Sequence, residues 1–203
     1  MTDPTLYLVT DIETDGPNPG AHSMLSFGCV ATDAAGARGE FTINLAPLEG
    51  AAGDPRTMQW WATQPEAWAA STTGAVPPAE AMARFAAWVR GLPAPPVFAA
   101  CPLAFDGTWM DWYLRRFCGL KLFTAPYDKG ALFQGAALDM SSLAMGVLGL
   151  SHAEAEVKPY PVEWLGGHAH THCALDDARG YAHLLRELLR RRPPARVPLP
   201  RQG

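Results

Sequence analysis

The residues most able to do chemistry begin in "LYLVTDIET", where Asp11 and Glu13 stand either side of Ile12. On a strand, residues two apart project from one face, so both carboxylates point one way and Ile12 the other. Two like charges side by side repel and raise each other's pKa unless a cation joins them. A water-exposed pair at a strand edge would need no cation, but the run before it is apolar and reads as a buried strand. A divalent-metal site at the end of that strand explains the placement better.

Two further acids sit on stripes that should face a core. At helical spacing Asp106 falls in line with Leu103, Met110, Tyr113, Leu114 and Phe117. A lone carboxylate there costs several kcal/mol unless compensated; capping the helix start is the alternative. Asp111 has Gly107, Thr108 and Arg115 as helical neighbours and reads as a surface acid. In "HCALDDARGYAHLL", Asp177 shares a stripe with Ala174, Ala178, Tyr181, Ala182, Leu185, Leu188 and Leu189. Asp176 falls with Arg179, Gly180 and His183 on the wetter side. His172, five residues before Asp177, belongs in the loop ahead of the helix; taken alone it reads as an exposed histidine.

Taken together, Asp11, Glu13, Asp106 and Asp177 supply hard oxygen donors, which suit Mg²⁺ or Mn²⁺ rather than zinc. Two such ions roughly 4 Å apart clamp an in-line displacement at phosphorus. His172 is of the type that can take a proton from attacking water near neutral pH.

The elements that must position these groups can be read coarsely. "TLYLVTDI", "MLSFGCVAT" and "EFTINLA" read as three strands with short connections, which favour an antiparallel meander. "DPRTMQWWATQPEAWAAST" reads as two short helices interrupted at Pro65, and "PPAEAMARFAAWVRGL" as a helix ending near Gly91. "PPVFAACP" is a short strand, "LAFDGTWMDWYLRRFCG" a helix, and "AALDMSSLAMGVLG" a strand running into a helix capped by Asp139. "ALDDARGYAHLLRELLRRR" is the last helix. The expected fold is α/β, a mixed five-stranded sheet flanked by helices: a three-strand antiparallel meander plus parallel strands.

At 203 residues the chain is expected to form one domain over residues 1–192, with 193–203 a flexible proline-rich tail. No apolar run is long enough to span a bilayer, and the N-terminus lacks a signal-peptide pattern. Four cysteines without a CxxC pair argue against a disulfide scaffold or a structural zinc site and fit a cytoplasmic protein. A net charge of −4 neither advertises nor excludes a nucleic-acid ligand, since metal-binding acids lower the count.

"DIETDG", the "FD" pair Phe105–Asp106, and "HCALDDA" with five steps from His172 to Asp177 resemble, in order and spacing, the DEDDh exonucleases. That family includes ribonuclease T, oligoribonuclease and bacterial polymerase proofreading subunits. The resemblance implies a ribonuclease H-like fold and two-metal hydrolysis of single-stranded RNA, DNA or short oligonucleotides from a 3′ end, releasing nucleoside 5′-monophosphates. It implies that Thr14, Leu25 and Phe105 lie near the terminal nucleotide, that His172 is the general base, and that a homodimer is a candidate assembly. Cys101 and Pro102 stand where many relatives carry a His-Asn pair. "TMQWWATQPEAW" is similar to a segment of phage-type relatives. A hydrolase of another phosphodiester, such as a dinucleotide, and a non-catalytic nucleic-acid-binding protein of the same fold are the rival readings.

Other features have competing explanations. Trp60, Trp61 and Trp68 could stack on bases, but at helical spacing at least one of the first two should be core. Phe27 reads equally as a stacking platform or as sheet core. Asp139 is explained by capping. "HAHTH" could chelate a transition metal, though no acid cluster accompanies it beyond the one already assigned. The "RELLRRRPPAR" run suits a solvated helix C-terminus better than a phosphate contact.

Overall fold

The structure, a computed structural model, describes residues 5–125 and 131–191; the expected tail at 193–203 lies outside them. Strands β1 (Tyr7–Thr14), β2 (Met24–Asp33) and β3 (Gly36–Asn44) form the antiparallel meander. Strand β4 (Val97–Ala100) runs parallel to β1, and β5 (Leu138–Asp139) parallel to β4. The five-stranded order is β3-β2-β1-β4-β5.

The first strand starts and ends two residues later than the expected run, so Glu13 as well as Asp11 lies within it. The third starts four residues earlier than its sequence suggests. Asp33 Oδ1 accepts from the Ala35 and Gly36 N–H groups and closes the turn, which lets pairing begin at Asp33 and Gly36.

Helices α1 (Pro55–Trp61) and α2 (Pro65–Thr72) break where Pro65 opens the second. They are followed by α3 (Pro78–Arg90), α4 (Leu103–Cys118) and α5 (Met140–Leu148). Helix α6 (His152–Ala155) was not expected from periodicity, since four residues show none; a Ser151–Glu154 capping box starts it. Helix α7 (Ala174–Arg191) ends the described chain. Among the described residues no helix is long and apolar enough to cross a membrane.

Two apolar clusters cover the two faces of the sheet. Leu8 and Ile12 of β1 and Phe27 and Cys29 of β2 pack with Phe85 of α3 and Met110 and Tyr113 of α4. On the other face Tyr7, Val9 and Val30 pack with Ala144 of α5 and with Ala178, Tyr181 and Leu185 of α7.

Candidate active site

The odd residues of β1 run along the α7 face as Tyr7 and Val9, then change to Asp11 and Glu13 without leaving the interior. Both acids are buried, at 9% and 8% exposure. Alternation and strand length together put two carboxylates where the strand's own pattern calls for apolar side chains.

Asp106 arrives from the far side of β1. The parallel ladder between β1 and β4 covers only Tyr7–Val9, so β1 has no β4 partner alongside its acids. The chain leaves β4 at Ala100, turns through Cys101–Pro102 and starts α4 in that space. Asp106, in the first turn, is 3% exposed. Its Oδ2 has no hydrogen-bond partner among the described residues. The helix start is held instead by Asp139, whose Oδ2 accepts from Leu103 N–H at 2.9 Å while its Oδ1 accepts from Ser142 N–H at 2.7 Å. Asp139 therefore caps two helices, and Asp106 is not used as a cap.

Asp177 is brought in by a close approach. Gly28 pairs with Asp11, and α7 starts directly over it: a Cβ on Gly28 would lie 2.3 Å from the Leu175 nitrogen. Any side chain there would lift the helix off the strand. Seated this low, α7 places an Asp177 oxygen within 4.8 Å of oxygens of Asp11 and Glu13. The loop before the helix wraps the same carboxylate. Asp177 Oδ1 accepts from Thr171 N–H at 2.9 Å, and Oδ2 from His172 N–H at 3.0 Å. To aim that N–H inward, His172 adopts a left-handed backbone with φ 57°, which costs about 1–3 kcal/mol in a non-glycine residue.

The His172 ring lies edge-on to Trp60, with centroids 4.7 Å apart, and to His170, at 4.4 Å. His170 Nδ1 is 3.1 Å from Asp177 Oδ2. Sequence reasoning noted His170 within "HAHTH" as a possible metal chelator but missed its contact with Asp177. Its five-residue offset falls on Leu175, but its alternation with His172 in "HTH" is the signal that both rings could serve one acid.

The electrostatics are those of uncompensated acids. Burial, then the charges of Asp106, Glu13 and Asp177, push Asp11 well above the ordinary carboxylate range. Burial, then Asp177 and Asp106, raise Glu13 to about 9. Burial raises Asp106 to about 8, against opposing backbone hydrogen bonds at Asp106 itself, Cys101 and Ile12. Burial also lowers the His172 imidazole, with His170 adding to that effect and Asp177 opposing it.

The donor set fits divalent cations. Oxygens of Asp11, Glu13 and Asp177 cluster within 4.8 Å, Asp106 is near enough to raise the first two, and its buried Oδ2 has no partner among the described residues. Oxygen donors of this kind suit Mg²⁺ or Mn²⁺.

The remaining candidates divide. Trp61 is core, 2% exposed, and donates Nε1–H to the Thr14 carbonyl at 2.9 Å. Trp60, on the same helix, is 38% exposed and faces the site. Leu25 is buried in a cluster with Trp61 and Ala67, against which Trp68 packs, so its side chain supports that cluster rather than offering an open face. Thr14 is half-buried, with its hydroxyl donated to the Gly16 carbonyl. Phe105 is exposed one residue before Asp106. Phe27 is core, stacked with Phe41 and edge-on to Phe85, and is no platform. Asp111 is more than a surface acid: it accepts from the Leu122 and Phe123 N–H groups and pairs with Arg115, tying the following loop to α4.

A mixed sheet in this strand order, covered by helices, has the ribonuclease H-like fold. It superposes on the nuclease domain of 3'hExo, a DEDDh family member bound to rAMP, with a TM-score of 0.65 and 13% identity over 91% of this chain and 92% of that one. It also superposes on E. coli ExoI in a complex with ssDNA, with a TM-score of 0.56 and 17% identity, over 91% of this chain and 39% of that one. No family model matches the chain. Escherichia coli Cap18, a 3'-5' DNA exonuclease, is 30% identical over 198 residues, covering 91% of this chain and 92% of that protein. The chain belongs to the DEDDh family of 3′–5′ exonucleases.

Proposed function

We propose that the protein hydrolyses phosphodiester bonds of single-stranded nucleic acid from the 3′ end by a two-cation mechanism, with residues 1–192 as the exonuclease unit. DNA is the favoured substrate, because the relative that is 30% identical acts on DNA. The observation that carries the reading is that buried oxygens of Asp11, Glu13 and Asp177 lie within 4.8 Å of one another, with Asp106 close enough to raise the first two and its Oδ2 unpartnered among the described residues.

Bound Mg²⁺ or Mn²⁺ would supply charge neutralisation and Lewis acidity at the scissile phosphate. Asp11 and Glu13 hold their oxygens on a strand packed on both faces, so the donor geometry is fixed before substrate arrives. Asp106 and Asp177 close the pocket from two helices. His172 is kept neutral by burial and by His170, so it accepts a proton from the attacking water. Trp60 stands beside that imidazole with an exposed face suited to a base. Thr14 and Phe105 border the acids in sequence and contact the terminal nucleotide.

Labelled single-stranded DNA, single-stranded RNA and a dinucleotide, each incubated with Mn²⁺ and with EDTA, test this. The expected result is stepwise shortening of DNA from its 3′ end into 5′-mononucleotides, abolished by EDTA. Cleavage of only the dinucleotide would favour the narrower phosphodiesterase, and binding without turnover a non-catalytic protein. His172→Ala should lose most of the rate yet still bind Mn²⁺.

A further inference from the structure

The catalytic reading gives Asp177 and His172 direct roles and leaves His170 only its effect on the charge of the His172 ring. His170 Nδ1 lies 3.1 Å from Asp177 Oδ2, and the two histidine rings are edge-on. One donor atom from each of His170, His172 and Asp177 lies within 4.8 Å of the others. This trio has a different chemical character from the four acids. Two imidazoles and one carboxylate form an N₂O set, which favours zinc-class cations over Mg²⁺ or Mn²⁺. Tetrahedral zinc with bonds of about 2.0–2.1 Å spaces its ligand atoms about 3.3–3.4 Å apart. The His170–Asp177 pair is already near that spacing.

The other histidines of this loop and helix lie outside the trio: His168 is exposed, and the His183 ring lies beside Gly166. The left-handed backbone at His172, fixed by its N–H bond to Asp177, and the Trp60 ring hold the second imidazole beside the first.

We propose that His170, His172 and Asp177 form a zinc-class cation site that overlaps the catalytic pocket, so that zinc occupancy takes His172 and Asp177 out of service and shuts hydrolysis off. Binding places the cation on His170 Nδ1, with that ring's proton carried on Nε2, and commits a nitrogen of His172 that hydrolysis needs free. The inhibition rests on the nuclease reading; the site itself does not.

The test is a zinc titration of the full chain against a chromophoric chelator, read together with histidine side-chain NMR. One zinc per chain is expected, with the His170 and His172 ring signals shifting together. His170→Ala and His170→Gln should each weaken zinc by about 10–100-fold, while Mn²⁺ affinity, read by electron paramagnetic resonance, changes far less. The glutamine variant can still donate a hydrogen bond to Asp177, so it separates ligation from mere support of that acid. In the Mn²⁺-supported assay, stoichiometric zinc should inhibit the native chain and the variants should resist it. Wild-type zinc affinity in both variants overturns the proposal, as does zinc that shifts only His22, His152, His168 or His183, an adventitious ion only. If zinc engages both rings but Mn²⁺ supports no hydrolysis, the zinc site stands and the nuclease reading fails.

Discussion

The two faces of β1 differ by a one-residue offset and by everything else. On one face Leu8 and Ile12 complete a dry core with Phe27 and Phe85, and Thr10 meets Cys29 Sγ at 3.2 Å, so even its polar atom is engaged. On the other, Tyr7 and Val9 begin a comparable core that gives way to Asp11 and Glu13. The first face is satisfied by protein alone. The second holds acids whose main neighbours are other acids, and burial with mutual repulsion raises them. One strand thus carries a stabilising face and a face held in readiness for charge from outside, and only the second has reason to do chemistry.

Breaking the second face should cost the most. Asp11→Asn and Asp177→Asn are each expected to lower hydrolysis about a thousandfold or more; the cation-free Asp11→Asn protein should be folded and at least as heat-stable as the native chain, and Asp177→Asn less so, because its amide NH₂ replaces an oxygen that accepts from Thr171 or His172 N–H. Thermal melts and single-turnover assays check both halves. Breaking the first face should do the reverse. Phe27→Ala should cost about 3–5 kcal/mol of stability, measured by urea unfolding, with the rate per folded molecule little changed. Gly28→Ala joins the two effects, since its methyl would strike the Leu175 backbone. A loss of about 1–3 kcal/mol is expected, along with weakened Mn²⁺ binding as α7 shifts. Trp60→Ala should act least, raising KM about tenfold for the loss of roughly 1–3 kcal/mol of base stacking, with a smaller fall in kcat as the His172 ring loses its edge-on neighbour.

The acids were legible because each violates a period. Asp11 and Glu13 break the alternation of a strand, and Asp106 and Asp177 break the stripes of helices. The meander, the parallel additions and the interruption at Pro65 followed from turn residues and short connections. What stayed hidden depends on distance across the fold. Gly28 matters because of a helix that arrives nearly 150 residues later in the chain. His170 reaches Asp177 because of the backbone turn at His172, and loop conformation has no periodicity to read. Leu25 lies on a strand buried along nearly its whole length, so alternation cannot tell which of its side chains meets a ligand.

The central claim is that divalent cations, rather than protein groups, neutralise these carboxylates. With Glu13 raised to about 9 and Asp106 to about 8, the native state holds protons that the unfolded chain has released above the ordinary carboxylate range. Without cations the unfolded state therefore binds fewer protons than the native, and stability should fall as pH rises from about 5 to 9. The most direct measurement is Mn²⁺ calorimetry at pH 7 in two buffers of different ionisation enthalpy, which counts protons displaced on binding. The account predicts a net release of protons on binding, diminishing as pH approaches 9. Tight binding with no proton release, or no binding at all, would contradict it.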